Sequence, residues 1–262
     1  MKKILFLGDV VGSPGRELLY KKARELKNRY AVNFLIVNGE NAAAGSGINE
    51  RIVREMIDSG IDAVTLGDHT WDQRGFDIAL PRLEKICRPA NYYAGVPGAD
   101  HLILEDADGF RLLVFTVLGQ TFMRGKTTCP FAQADTLLKQ LAGTYNAAFV
   151  EIHGEVTSEK IAMGWHLDGR AAAVVGTHTH VATADNRILP AGTAYQTDAG
   201  MCGAHDGVIG RNKEAVIQAF SDGLPRRFEI AEGDVRLCGC LISYDETQSR
   251  AVSIERIEIF AD

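Results

Sequence analysis

The sequence predicts an α/β fold, two packed mixed β-sheets flanked by helices, in a single domain over residues 1–262. Three observations lead there. Short apolar runs alternate with helical patterns through the first half. The last third reads mostly as strand. Seven segments end an apolar run with Asp, Glu, Asn or His, as expected where buried strands deliver side chains to one edge of a sheet.

The elements follow in order. Lys3–Leu7 reads as a strand. Ser13-Pro14 supplies an N-cap and a proline at the first helical position, opening a helix to about Lys27 with Leu19, Ala23, Leu26 and Tyr30 on one face. Phe34–Val37 is the second strand. Asn49 opens a helix carrying Ile52, Met56 and Ile57, stopped at Ser59-Gly60. Ala63–Leu66 is the third strand, and Phe76–Ile86 reads as a helix interrupted by Pro81. Leu102–Leu118 reads as a hairpin turning at Asp106–Gly109. Helices over Ala132–Leu141 and from Ser158 to Met163 alternate with strands over Ala148–Ile152 and Ala172–Val175. From Arg227 to Phe260 the pattern is that of strands, with turns at Glu232-Gly233 and Asp245–Ser249.

Composition sets the setting. The 262 residues are 46% hydrophobic and 24% charged, ordinary for a globular domain. A net charge of −6 argues against a stable nucleic-acid complex but not against an anionic substrate, because bound metals reverse the local potential. The five cysteines lack zinc-ribbon spacing and point to a reducing compartment. Cys238-Gly-Cys240 reads as two ordinary thiols. The apolar run in MKKILFLGDVVG is too short for a secretion signal, and no stretch approaches the roughly 20 apolar residues that span a bilayer. The expectation is a cytoplasmic protein without a membrane partner. A homo-oligomer is compatible with the sequence.

The chemistry sits in the clusters. FLGDVVG carries Asp9, IVNGENAA carries Glu40 and Asn41, and VTLGDHTWD carries Asp68, His69 and Asp72. FVEIHGE carries His153, and VVGTHTH carries His178 and His180, a spacing that would place both on one face of a strand. Weaker clusters hold Asp185, His205 and Asp206. Such donors suit manganese, iron or zinc.

These segments, in this order, resemble the signature of the calcineurin-like metallophosphoesterases. The wider wording (GDVVGSPGR, NGENAAAGSGI, GDHTWD, HGEVTSEK and GTHTHVATAD) resembles the bacterial YmdB-like branch of 2′,3′-cyclic-nucleotide 2′-phosphodiesterases, over residues 3 to 260. The resemblance implies two metal ions per chain, iron or manganese ahead of zinc. Asp9, Asn41 and His180 would hold the first with Glu40, which bridges. Asp68, His153 and His178 would hold the second with Glu40. His69 would not be a ligand; it would protonate the leaving alkoxide or steady the attacked phosphate. Hydroxide held by the metals would attack the phosphorus of a small cyclic nucleotide. One position departs from the pattern: the family usually has Gly-Asn-His where this chain has Gly67-Asp68-His69. Two divalent ions against three carboxylates then leave one net positive charge, where an asparagine would leave two.

Several residues have plainer readings. Trp71 lines the pocket and Asp72 is structural. Asp185 orients a histidine from behind. His205 is either pocket lining or surface, and His101 and His166 face solvent. Ser46 shapes a glycine-rich loop over the site, and Glu155 with Thr157-Ser158-Glu159-Lys160 reads as a helix start. Two alternative functions stay open: a broader phosphatase acting on phosphomonoesters or phosphoproteins, and a metal-binding regulatory protein with little turnover.

Overall fold

The computed structural model describes residues 1–261. Its elements in chain order are strand β1 (Lys2–Leu7), β2 (Asp9–Val10), helix α1 (Gly12–Tyr30), β3 (Phe34–Asn38), α2 (Glu50–Asp58), β4 (Ala63–Thr65), α3 (Phe76–Ala79) and β5 (Ile86–Cys87). The hairpin β6 (Leu102–Glu105) and β7 (Arg111–Leu118) follows, then α4 (Pro130–Gln140), β8 (Ala147–His153), α5 (Thr157–His166) and β9 (Ala173–Thr177). The chain closes with β10 (Arg187–Ile188), β11 (Ala194–Gln196), β12 (Met201–Ala204), α6 (Lys213–Asp222), β13 (Val235–Asp245) and β14 (Arg250–Phe260).

Among the described residues the strands form two sheets. One runs β2-β12-β13-β1-β3-β4-β5, with β14 paired to β13, and the other runs β10-β11-β9-β8-β7-β6. Both are mixed. β1, β3 and β4 are parallel neighbours, as are β7, β8 and β9, while β13 runs antiparallel to β1. Central strands are apolar on both faces, and the packing explains it. Ile4, Phe6, Phe34 and Ile36 face the second sheet and meet Val114, Phe149 and Val175, with the Phe6 and Phe149 rings 4.9 Å apart. Leu5, Leu7, Leu35 and Val37 point the other way, onto Leu19, Leu26, Ile52 and Met56 of α1 and α2. On the far side, Leu137, Leu138 and Met163 of α4 and α5 cover Leu113, Phe115 and Val150. Two packed mixed sheets flanked by helices are thus the architecture.

The expected elements hold in most places. Asn49 caps α2 by accepting the Ile52 N–H at 3.0 Å, and Gly60 continues past its end with φ 108°. The Leu102–Leu118 hairpin turns where Asp106 N–H meets the Phe110 carbonyl at 3.0 Å. Other expectations are corrected. Ser13 does not cap α1, which begins at Gly12 with no side-chain cap. The helix expected over Phe76–Ile86 stops at Ala79, runs through a 3₁₀ turn at Leu80–Arg82, and gives way to β5. Pro81 lacks the N–H that would continue the ladder, and the apolar pair Ile86-Cys87 completes the sheet edge instead. The strand pattern expected from Arg227 starts only at Val235. Three short strands and α6, between Arg187 and Asp222, carry too little periodicity to be read from the sequence.

Both parallel sets aim their carboxyl ends at one rim. Asp9, Glu40 and Asp68 leave the first sheet there, and His153 and His178 leave the second.

Candidate metal centre

Two glycines show why Asp9 and Asp68 each follow a Gly. A Cβ at Gly67 would lie 2.0 Å from Glu40 Oε2 and 2.5 Å from His153 Nε2, and one at Gly8 would lie 1.9 Å from the Gly200 carbonyl oxygen. Any side chain there would occupy the space of the donor atoms or of the neighbouring backbone.

Four donors converge tightly. One atom each from Glu40, Asp68, His153 and His178 all lie within 4.8 Å of one another. His153 Nε2 is 3.2 Å from Glu40 Oε2 and 3.1 Å from both Asp68 Oδ1 and His178 Nδ1. The second group is looser. Asn41 Nδ2 lies 2.8 Å from Glu40 Oε1 and 3.2 Å from His180 Nε2, which is 3.8 Å from Asp9 Oδ2. Which end of the Asn41 amide faces these atoms follows from the hydrogen-bond network and reverses on a half-turn.

The His178–His180 pair corrects the sequence reading. β9 ends at Thr177, and both histidines lie beyond it with left-handed backbones, φ 96° and 65°. They do not share a strand face. His178 turns to Asp68 and Glu155, and His180 turns to Asn41 and the Ile209 carbonyl. Non-glycine residues with positive φ cost of order 1–3 kcal/mol and persist where surroundings impose them. Here Asp198 does so. It accepts Thr179 N–H at 3.1 Å and the Thr179 hydroxyl at 2.8 Å, and it pairs with buried Lys160 at 2.7 Å.

Burial and crowding set the protonation. Burial raises the Asp9 carboxyl well above its ordinary range; His153 opposes this, while Glu40, Asp198 and Glu151 add to it. Burial also opposes ionisation of Asp68, but hydrogen bonds from His153 and His178 outweigh it and hold that carboxyl well below. Glu40 is lowered by His153 against the same burial. Burial opposes protonation of His153, yet Glu40 and Asp68 raise it. Asp9 Oδ1 and Asp68 Oδ2 are buried with no hydrogen-bond partner. Oxygen and imidazole donors, two of the oxygens orphaned, fit a divalent cation.

His69 flanks the cluster. Its Nδ1 lies 2.6 Å from Asp72 Oδ2, with Ser46 Oγ at 3.2 Å and Arg124 Nη1 at 3.1 Å. The short contact to a carboxylate assigns a proton to Nδ1. Asp72, read from the sequence as structural, therefore orients His69. Glu155, read as part of a helix start, lies 3.3 Å from His178 Nε2. The cleft, about 330 Å³, is lined by Glu40, Asn41, His69, His178, His180 and Arg211 among others. Arg211 donates to the Ala44, Gly45 and Phe228 carbonyls and so holds the glycine-rich loop. Arg124 and Arg211 stand outside any strand-end cluster, so no local signal in the sequence marks them, whereas Glu155 closes the FVEIHGE segment but its approach to His178 is not visible from spacing.

Other expectations land elsewhere. Trp71 packs against Tyr92 with ring centroids 5.8 Å apart instead of lining the cleft. Asp185 binds Thr183 and Thr197, not a histidine. His205 approaches the Cys238 thiol at 3.8 Å, and His101 and His166 pair with Asp100 and Asp135.

Two packed sheets with acidic and imidazole donors on one rim define a metallophosphoesterase-type fold. A profile of the YmdB-like protein family matches residues 5–257. The chain belongs to that family. A Bacillus subtilis (strain 168) protein named 2′,3′-cyclic-nucleotide 2′-phosphodiesterase is 47% identical over 260 residues, covering 99% of this chain and 98% of that one. The crystal structure of a hypothetical protein from Thermus thermophilus superposes with a TM-score of 0.92 at 38% identity, covering 99% and 100% of the two chains. A structure described as a novel phosphatase of Mycoplasma pneumoniae gives 0.92 at 32%, covering 99% and 93%. Among the described residues no helix is long and apolar enough to cross a membrane.

Proposed function

We propose that the chain is a metal-dependent phosphodiesterase that opens 2′,3′-cyclic nucleotides at the 2′ ester. The observation that supports this most is the convergence of Glu40, Asp68, His153 and His178 beside the His69–Asp72 pair, in a chain 47% identical to the Bacillus enzyme. Asp68, His153 and His178 would hold one ion with Glu40. Asp9, Asn41 and His180 would hold a second, with Glu40 shared between them. Two such ions, iron or manganese ahead of zinc, supply charge neutralisation for phosphate oxygens and acidify water near neutral pH.

The remaining chemistry belongs to side chains. The oxygen of water bonds to phosphorus, the P–O2′ bond breaks, and the 2′ oxygen takes up a proton. His69 delivers that proton from Nε2, because Asp72 holds the Nδ1 proton and fixes the ring. Arg211 sets a positive charge in the cleft wall toward an anionic substrate. All of this lies within one domain, consistent with three apolar layers that pack α1 and α2 on the first sheet, the two sheets on each other, and α4 and α5 on the second. We place the protein in the cytoplasm, where its five free cysteines stay reduced.

The test is turnover of manganese-loaded protein on 2′,3′-cyclic AMP, bis-p-nitrophenyl phosphate and p-nitrophenyl phosphate. The expected result is hydrolysis of both diesters, with the cyclic nucleotide giving the 3′-monophosphate. Faster monoester hydrolysis would make it a broader phosphatase. Loaded protein inert to all three would make it a metal-binding regulator.

A further inference from the structure

We infer that Glu151 and Thr177 are positioning residues that set the tautomer of His153, and through it the nitrogen offered to a metal. The inference rests on reading His153 as a ligand. Glu151 lies two residues before His153 on β8, so both side chains leave the same face. Glu151 is fully buried. It has no role in the chemistry described above, and its partners are all hydrogen-bond donors: Asn38 Nδ2 at 2.5 Å and Thr177 Oγ1 at 2.6 Å on one oxygen, Thr116 Oγ1 at 2.9 Å on the other. The Asn38 amide cannot reverse without loss, because its Oδ1 accepts the Glu40 N–H at 2.9 Å. One carboxylate thus braces the backbone of Glu40 and the hydroxyl of Thr177 together.

Proton counting then fixes His153. A threonine hydroxyl has one proton, and Thr177 gives it to Glu151. Toward His153 Nδ1, 2.9 Å away, Thr177 Oγ1 can only accept. Nδ1 therefore carries hydrogen, and Nε2 is the nitrogen free to present a lone pair. Nε2 is also the one that faces Glu40, Asp68 and His178. Without the carboxylate, the hydroxyl could turn and donate to Nδ1. That would favour the tautomer with its proton on Nε2, which cannot bind a cation. Thr177 is itself anchored, since its carbonyl accepts Lys160 Nζ at 2.6 Å. The relay is therefore rigid at both ends. Partners behind a metal-binding imidazole typically carry 10–100-fold in metal affinity.

Thr177→Val tests this, because it removes the hydroxyl at nearly constant volume, while Thr177→Ser keeps it. Manganese binding is followed by calorimetry in both variants and in wild type. The Val variant should bind the ion of the Glu40–Asp68–His153–His178 group about 10–100-fold more weakly. The Ser variant should stay close to wild type. Equal affinity in Val and wild type would overturn the relay. Long-range ¹H–¹⁵N spectra of zinc-loaded wild type provide a second reading that needs no variant. His153 Nδ1 should appear as the protonated nitrogen, and a protonated Nε2 would also overturn the inference. Manganese affinity of His153→Ala tests the underlying ligand assignment separately. Undiminished binding there would refute that assignment, while the spectra still report on the Nδ1 proton.

Discussion

Two buried polar clusters lie side by side at the carboxyl rim, and they follow opposite rules. In one, Glu151 is surrounded by donors from Asn38, Thr116 and Thr177, and Lys160 neutralises Asp198 while bonding the Thr177 carbonyl. In the other, Asp9, Glu40 and Asp68 crowd against His153 and His178, and two carboxylate oxygens have no partner. An unsatisfied buried polar group costs about 1–3 kcal/mol, so the second cluster burdens the fold that carries it. The satisfied cluster is scaffold. The frustrated one is where the chain has kept capacity for a ligand, at the place where local rules fail.

Paired substitutions test the contrast most strongly. Glu40→Ala should abolish metal binding and diester turnover together. In chelator-stripped protein, however, it should cost less stability than Lys160→Met, because His153 keeps Asp68 as its partner and the crowding around Asp9 is eased. Lys160→Met leaves Asp198 buried without its cation, a loss of about 3–5 kcal/mol. Urea unfolding of both stripped variants decides. If Glu40→Ala proved as destabilising as Lys160→Met, the distinction between the two clusters would collapse.

The next effect lies at the edge of the frustrated cluster. His69→Ala should leave metal content intact and cut turnover of 2′,3′-cyclic AMP by roughly 10²–10⁴-fold, the usual share of a general acid. The loss on bis-p-nitrophenyl phosphate should be much smaller, since p-nitrophenolate departs without a proton. Equal losses on both substrates would make His69 a phosphate-positioning group, and a lost ion would make it a ligand.

Much of the frustrated cluster was legible in the sequence, while its satisfied neighbour was not. Asp9, Glu40 and Asp68 each follow a strand and a glycine, and that local pattern survives folding because a side chain at Gly67 would take the space of donor atoms, one at Gly8 that of the Gly200 backbone, and one at Gly39 that of Val64 and Ile48. Glu151 sits inside an apolar strand with nothing beside it in sequence to mark its partners. Asn38, Thr116 and Thr177 come from three other strands, 26 to 113 residues away. Lys160 sits on α5, 38 residues from Asp198. Asp72 was visible but misread. Its spacing of three from His69 fits a turn as well as an orienting contact, and only the 2.6 Å distance separates them. The His178 and His180 spacing suggested a strand, because sequence periodicity carries no information about a left-handed turn imposed by Asp198.

The finest test of the contrast is Asp68→Asn, which alters the frustrated cluster by one charge and almost no volume. Asp68 Oδ1 lies 3.1 Å from His153 Nε2 and 3.4 Å from His178 Nδ1, so an amide oxygen at the same place keeps the donor. The orphaned Oδ2 becomes an NH₂, and the net positive charge with two divalent ions bound rises from one to two. The second ion should therefore be held more weakly, by roughly tenfold, the scale of about 1.4 kcal/mol. Turnover of phosphodiesters at saturating manganese should rise, because a more positive site attracts the anion and acidifies water more strongly. Calorimetric titration with manganese and saturation kinetics on bis-p-nitrophenyl phosphate read the two effects separately. If affinity and rate both stay at wild-type values, the charge of Asp68 does not reach the ions, and that side chain belongs with Glu151 among the scaffold.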